Sequence, residues 1–256
     1  MSALLQVDRT ESKDRVYVNL NERFNWSPHK ATANRVLKRL EPVVSPYHAI
    51  IAGGFLRDAY LRLPVTDIDV FILGVKNDQQ VRQELGTRIR RVLEGDSLAN
   101  RLAYTYNPGN TSTQYISTTG TFILGTFSLN WLEENKVLQT AYRDFWRIPE
   151  SIKVRKLATG NNALVPDIQI IGSPLENSEA LLAQFDYTIN QFAYSLGEDM
   201  LCPLRSVTTP LVPVRWTDPM RLLRRGFYLE KITKSQMTPD LVIRLAGLLA
   251  LNGNDA

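Results

Sequence analysis

Two apolar runs give the clearest strand signals in the chain. "YHAIIAGG" (47–54) is nearly continuous, as in a buried strand. "TDIDVFIL" (66–73) alternates at its start, so that Asp67 and Asp69 face one way while Ile68 and Val70 enter the core. Between them Leu56–Tyr60 reads as the first turn of a short helix that Pro64 ends. Upstream, "SPHKATANRVLKRLEPV" has helical spacing, with Ser27 or Pro28 near its start and Pro42 near its end. Downstream, Val81, Leu85, Ile89, Val92 and Leu93 recur at the spacing of an amphipathic helix. "YTYNPGNTSTQYISTTGTFIL" (104–124) reads as strands or a loop. "SIKVRKLATGNNALVPDIQIIGS" reads as a hairpin turning at "TGNN", with Asp167 on its second strand. From "NSEALLAQFDYTINQFAYSL" onward the pattern turns helical, with Phe185, Ile189, Phe192 and Tyr194 on the core side. A break at "LCPLRSVTTPLVPVRW" precedes "TDPMRLLRRGFYLEKI" and a last helix.

Strands in the middle and helices at both ends predict an α+β fold. A mixed-sheet domain is expected over residues 1–195 and a small helical domain over 196–256. At 256 residues and 44% hydrophobic, the chain can bury one substantial core. The net charge of +4 is compatible with an anionic partner but does not specify one. A single cysteine, Cys202, excludes an internal disulfide framework and a multi-cysteine zinc site, and only His29 and His48 exist. The start "MSALLQVDRTESKDR" turns charged at once, and no apolar run reaches membrane-spanning length. A cytoplasmic protein without membrane contact is expected.

Three carboxylates interrupt apolar strands: Asp67, Asp69 and Asp167. An unpaired charge in a strand interior is costly, and hard divalent cations are natural partners for such groups. Mg²⁺, or Mn²⁺, binds through one or two carboxylates together with substrate phosphates. The same alternation suits an edge strand with two solvated carboxylates. Before it, "GGFLRD" puts Gly53 and Gly54 at a strand-to-helix turn, where bare backbone can approach phosphates.

Gly53-Gly54-Phe55-Leu56-Arg57-Asp58 followed by Asp67-Ile68-Asp69 resembles the signature of the DNA polymerase β-type nucleotidyltransferases. Within these it is most similar to the head domain of bacterial-type tRNA CCA-adding enzymes and poly(A) polymerases. The resemblance implies a nucleotidyltransferase head followed by a helical neck. Asp67 and Asp69, with Asp167 as third carboxylate, would hold the catalytic metals. Gly53 and Gly54 would seat the triphosphate, Arg57 would support it, and Asp58 would order the site. "FDYTINQFAYSLG" is similar to a segment that closes on the nucleotide's sugar and phosphates. Asp186, Thr188 and Asn190 match it, with Asp186 implied to bind the ribose 2′-OH, but Gln184 and Phe185 stand where two arginines are usual. "TDPMRLLRR" is similar to a base-reading segment and implies that Asp218 and Arg221, with Arg224 behind them, recognise ATP or CTP. An ordinary helix start capped by Thr217 reads equally from the same residues.

The expected function is a metal-dependent nucleotidyltransferase that moves a nucleoside monophosphate onto a hydroxyl, an RNA (tRNA-like) 3′ end by resemblance, with release of pyrophosphate. Arg215, Arg221, Arg224, Arg225, Lys231 and Lys234, interleaved with Trp216, Phe227 and Tyr228, offer phosphate and base contacts, as does "YRDFWRIPESIKVRK". Two alternatives remain open. One is transfer to a protein, a tRNA in the manner of a toxin, or a small molecule; the short C-terminal part favours it. The other is a non-catalytic nucleotide- or RNA-binding module, which the missing arginines favour.

Overall fold

The computed structural model describes residues 15–18, 27–61, 63, 65, 67–94, 120–128, 167–197, 200–203, 210–216, 218–233 and 235–252. Its strands are β1 (Arg15–Val18), β2 (His48–Ala52), β3 (Asp67–Leu73), β4 (Phe122–Ser128), β5 (Asp167–Ser173), β6 (Ala193–Tyr194) and β7 (Met200–Pro203). They form one sheet in the order β1-β7-β6-β2-β3-β5-β4. β3 and β5 run parallel and every other neighbouring pair is antiparallel, so the protein is α+β with a mixed sheet. Among the described residues the helices are α1 (Ser27–Val44), α2 (Gly54–Leu61), α3 (Gln79–Glu94), α4 (Ser178–Leu182), α5 (Pro219–Thr233) and α6 (Pro239–Asn252).

The periodicities explain the layers. In α3, Leu85, Ile89 and Leu93 recur every four residues and are buried. Asp78 caps this helix, accepting from the backbone N–H of Gln80 (2.9 Å) and Val81 (3.1 Å). Ile68, Val70 and Ile72 of β3 join one cluster with residues of α1, α2 and α3. Phe71 and Leu73 join a second cluster with Leu181 and Leu182 of α4. Each fully buried aliphatic side chain stabilises the fold by about 1.5–3 kcal/mol. A one-residue slip of β3 would drive Asp67 and Asp69 into the first cluster, so burial fixes which face the carboxylates take.

The helix expected from residue 177 forms only as the short α4. Asn177 caps it, accepting from the Ala180 N–H at 2.8 Å. The chain then makes a 3-10 turn over Thr188–Asn190 and enters β6, which pairs with both β2 and β7. Tyr187, Thr188 and Ile189 favour extended or turn backbone, and pairing with a waiting sheet edge outweighs their helical spacing. Past residue 195 the chain first returns to the sheet as β7 and becomes helical at Pro219. There α5 and α6 close a third cluster on Tyr187, whose hydroxyl donates to the Leu222 carbonyl at 2.7 Å. The TGNN hairpin turn and its first strand, residues 104–119, Thr217, Lys234 and the 142–156 basic-aromatic stretch lie outside the described residues. No helix among the described residues is long and apolar enough to cross a membrane.

Candidate active site

The glycine turn is built as the sequence predicts. Gly53 has φ +87°, a conformation that L side chains rarely adopt, and its carbonyl accepts from the Arg57 N–H at 3.1 Å as α2 begins. Its own N–H is committed to the Phe192 carbonyl at 2.9 Å, and the Phe185 ring lies 3.5 Å from where a Cβ would sit. Gly53 therefore shapes the turn and is covered by an aromatic ring, while Gly54 is half-buried.

Arg57 is not a surface phosphate ligand. It is 2% exposed and its side chain is spent internally. Nε donates to Asp58 Oδ1 at 2.7 Å, Nη2 pairs with the same oxygen at 2.7 Å, and Nη1 donates to Asn190 Oδ1 at 2.6 Å. The guanidinium thus ties α2 to the 3-10 turn. Asp58 and Asn190, both buried, are parts of that tie. Burial pushes the Asp58 carboxyl up, Arg57 draws it down by charge and hydrogen bond, Asp67 raises it further and Arg225 opposes that.

On β3, Asp67 is exposed and Asp69 half-buried. Burial and then the charge of Asp67 push the Asp69 carboxyl up to about 7, with Arg225 and then Arg57 only partly offsetting them. Two carboxylates on one face, one of them short of compensating charge, suit a divalent cation. Asp167 is the register partner of Asp67 in the parallel β3–β5 pair. Among the described residues no group of three or more His, Cys, Asp or Glu side chains is arranged around a common metal position.

The remaining expected residues come from the C-terminal part. Asp186 accepts from Arg221, Nε at 3.3 Å and Nη2 at 3.2 Å, so these two candidates meet each other across 35 positions. Asp218 caps α5: its carboxylate accepts from the Arg221 N–H at 3.0 Å. Arg224 is exposed, and it is Arg225 whose charge reaches Asp58 and Asp69. Arg225 was open to sequence reasoning, since it follows Arg221 by four residues and shares its helix face. Arg215 donates to Gln184, so a cation does stand beside a position where the resemblance expects an arginine.

A family model described as Gabija anti-defense 2 family protein (Gad2) matches residues 21–209. No curated protein matches the chain. The match corrects the family suggested by the GG and DxD motifs: this is not a CCA-adding enzyme or poly(A) polymerase. Those motifs are short, and the longer segments behind the likeness depart from it in substance. Gln184 and Phe185 replace arginines, Arg57 is internal, and Asp218 is a helix cap. The chain belongs to the Gabija anti-defense 2 family.

Proposed function

We propose that this protein is a divalent-metal-dependent nucleotidyltransferase with a nucleotidyltransferase-type head, and that its acceptor is a hydroxyl on a component of the Gabija defence. The observation that carries the chemistry is the strand pair β3–β5: Asp67 and Asp69 alternate on β3 with Asp167 in register beside Asp67. The raised Asp69 carboxyl supports a resident cation, because added positive charge would relieve the excess that keeps its proton on. Asp67 and Asp69 would hold Mg²⁺ or Mn²⁺, with Asp167 contributing from β5. When bound, such ions neutralise the phosphates and activate the attacking hydroxyl.

The chain's own residues supply positioning. The acceptor oxygen forms a bond to the α-phosphorus of ATP or CTP, the bond to the β-phosphate bridge breaks, and pyrophosphate leaves while the hydroxyl proton passes to solvent. Gly54 begins α2 and would offer the triphosphate backbone without a side chain. Arg225 adds positive charge beside the carboxylates, and Arg221 and Asp186, which pair with each other, would serve as donor and acceptor for sugar or base. Displacement of this kind depends on alignment and charge neutralisation, so no histidine base is required.

The acceptor proposal rests on the family's name, which speaks of Gabija anti-defense. A tRNA 3′ end had only the corrected resemblance behind it. The test is incubation of the full chain with each α-³²P-labelled NTP, Mg²⁺, purified Gabija components and, separately, total RNA. Label on a Gabija component, lost in Asp67→Ala and Asp69→Ala, is the expected result. Label on RNA ends would move the acceptor and keep the chemistry. Nucleotide binding with no transfer or pyrophosphate release in any mixture would replace the enzyme with a binding module.

A further inference from the structure

Trp216, just ahead of α5, is 40% exposed, and Phe227 and Tyr228 on α5 are 53% and 43% exposed. The helix buries Leu222, Gly226 and Leu229 on its inner side. On the outer side Met220, Arg224, Phe227 and Lys231 recur at steps of four, three and four residues, so they form one exposed row. The row runs roughly 16 Å along the helix. A single exposed ring is ordinary, but several on one helix end mark a contact surface.

The carboxylates of this region are committed elsewhere. Asp218 caps α5, Asp186 pairs with Arg221, and Glu230 accepts from the Met237 N–H at 2.7 Å. Asp240 stands in the first turn of α6. Among the described residues Arg224, Arg225, Lys231 and Arg244 form no ion pair. Arg225 lies over the Tyr228 ring, 5.1 Å from its centroid, and Arg244 lies over Trp216 at 4.0 Å. Those contacts orient the rings yet leave them exposed, and a stacked guanidinium still presents its N–H edge.

Cations without acids call for an anionic partner, and the rings decide its kind. Phosphates satisfy the cations while unpaired bases stack on the rings. Bases in a duplex are stacked on one another and cannot reach a ring face. A protein interface would place few lysines beside its aromatic anchors.

We propose that the outer face of α5, with Trp216 at its N-terminal end, binds single-stranded nucleic acid. Arg224 and Lys231 contact phosphates, and Phe227 and Tyr228 carry bases. Arg225 continues this face round the helix toward Asp69, whose carboxyl feels its charge. Binding needs no divalent ion, so it stands apart from the transfer reaction proposed above.

The experiment is fluorescence anisotropy of the full chain with labelled oligouridylate and oligothymidylate of roughly 10 nucleotides, in a chelator. Saturable binding of either strand is expected, and the two arms tell RNA from DNA. A duplex of the same length should bind at least about tenfold more weakly. Phe227→Ala/Tyr228→Ala should weaken strand binding by about tenfold or more. Arg224→Gln/Lys231→Gln should weaken it by a similar factor and flatten the slope of log K against log[salt] by about 1.4. Circular dichroism checks the fold of each variant. Should either double variant fail to fold, Phe227→Ala alone supplies the test, with a loss of about fivefold. No saturable binding overturns the proposal, as does a duplex bound as tightly as a strand. Binding that survives the ring or the cation changes overturns it too. Polyglutamate that displaces the strand as readily as unlabelled strand does would assign the face to an acidic protein instead.

Discussion

Replacing Asp69 by asparagine is expected to stabilise the metal-free protein above neutral pH while abolishing the proposed transfer reaction. Folding pushes the Asp69 carboxyl from an ordinary 3.8 up to about 7, first by burial and then by the charge of Asp67. As pH rises through this window the unfolded chain loses the proton first and the folded chain retains it. Stability therefore falls between about pH 4 and pH 7, and the full penalty is present above pH 7. At about 1.4 kcal/mol per pH unit, the gap sets a ceiling of about 4 kcal/mol. Asp69 is only half-buried and solvent screens its charge, so we expect a gain of about 1–3 kcal/mol. Asparagine keeps the shape and removes the charge. The assay is urea unfolding of both proteins in a chelator, near pH 8 and near pH 4. Asp58, also raised, is present in both and largely cancels in the difference. Equal stabilities near pH 8, or the same gain at both pH values, would refute the account of Asp69 as a carboxylate short of positive charge.

Mg²⁺ should raise the melting temperature of the wild-type protein, by about 2.7 kcal/mol of stability at a hundredfold excess over Kd. Differential scanning calorimetry should find no such rise in Asp67→Asn/Asp69→Asn. Arg57→Met removes the donor to buried Asp58 and Asn190 and should cost about 3–5 kcal/mol in chemical denaturation. Adding Asp58→Leu to it should recover part of that loss. Gly226→Ala brings a Cβ to 2.7 Å from the Tyr187 hydroxyl and against Met237, and should lower stability by about 1–3 kcal/mol in the same assay. Arg221→Ala breaks an exposed pair with Asp186, so stability should change by less than about 1 kcal/mol. Nucleotide affinity measured by calorimetry should fall in that variant.

The sheet's centre was legible because burial writes itself into a strand with period two: Ile68, Val70 and Ile72 alternate with the residues that face α4 or carry charge. The Gly53 turn was legible for a related reason, since its backbone conformation excludes other residues at little cost only when glycine is present. The segment from 183 to 194 was not. Its strand is two residues long, too short to carry a period, and its position is decided by pairing with β2 and β7 far away in sequence. The fate of Arg57 was equally hidden. Nothing local distinguishes an arginine that meets a ligand from one that meets Asn190, 133 positions later. The helix cap at Asp218 and the turn toward Arg225 depend on where α5 starts, and sequence periodicity fixes a helix's face better than its first residue.

The parallel pairing of β3 and β5 has a consequence for the order in which the carboxylates come together. Asp67 and Asp167 become neighbours only through the β3–β5 ladder, and a hundred residues of chain separate them. Contacts this remote in sequence form late, because closing so large a loop costs entropy before any pairing repays it. A growing chain that has emerged only as far as α3 already carries the acidic strand and the glycine bend. Asp167 can join them only when β5 arrives, after more than half of the protein has been made.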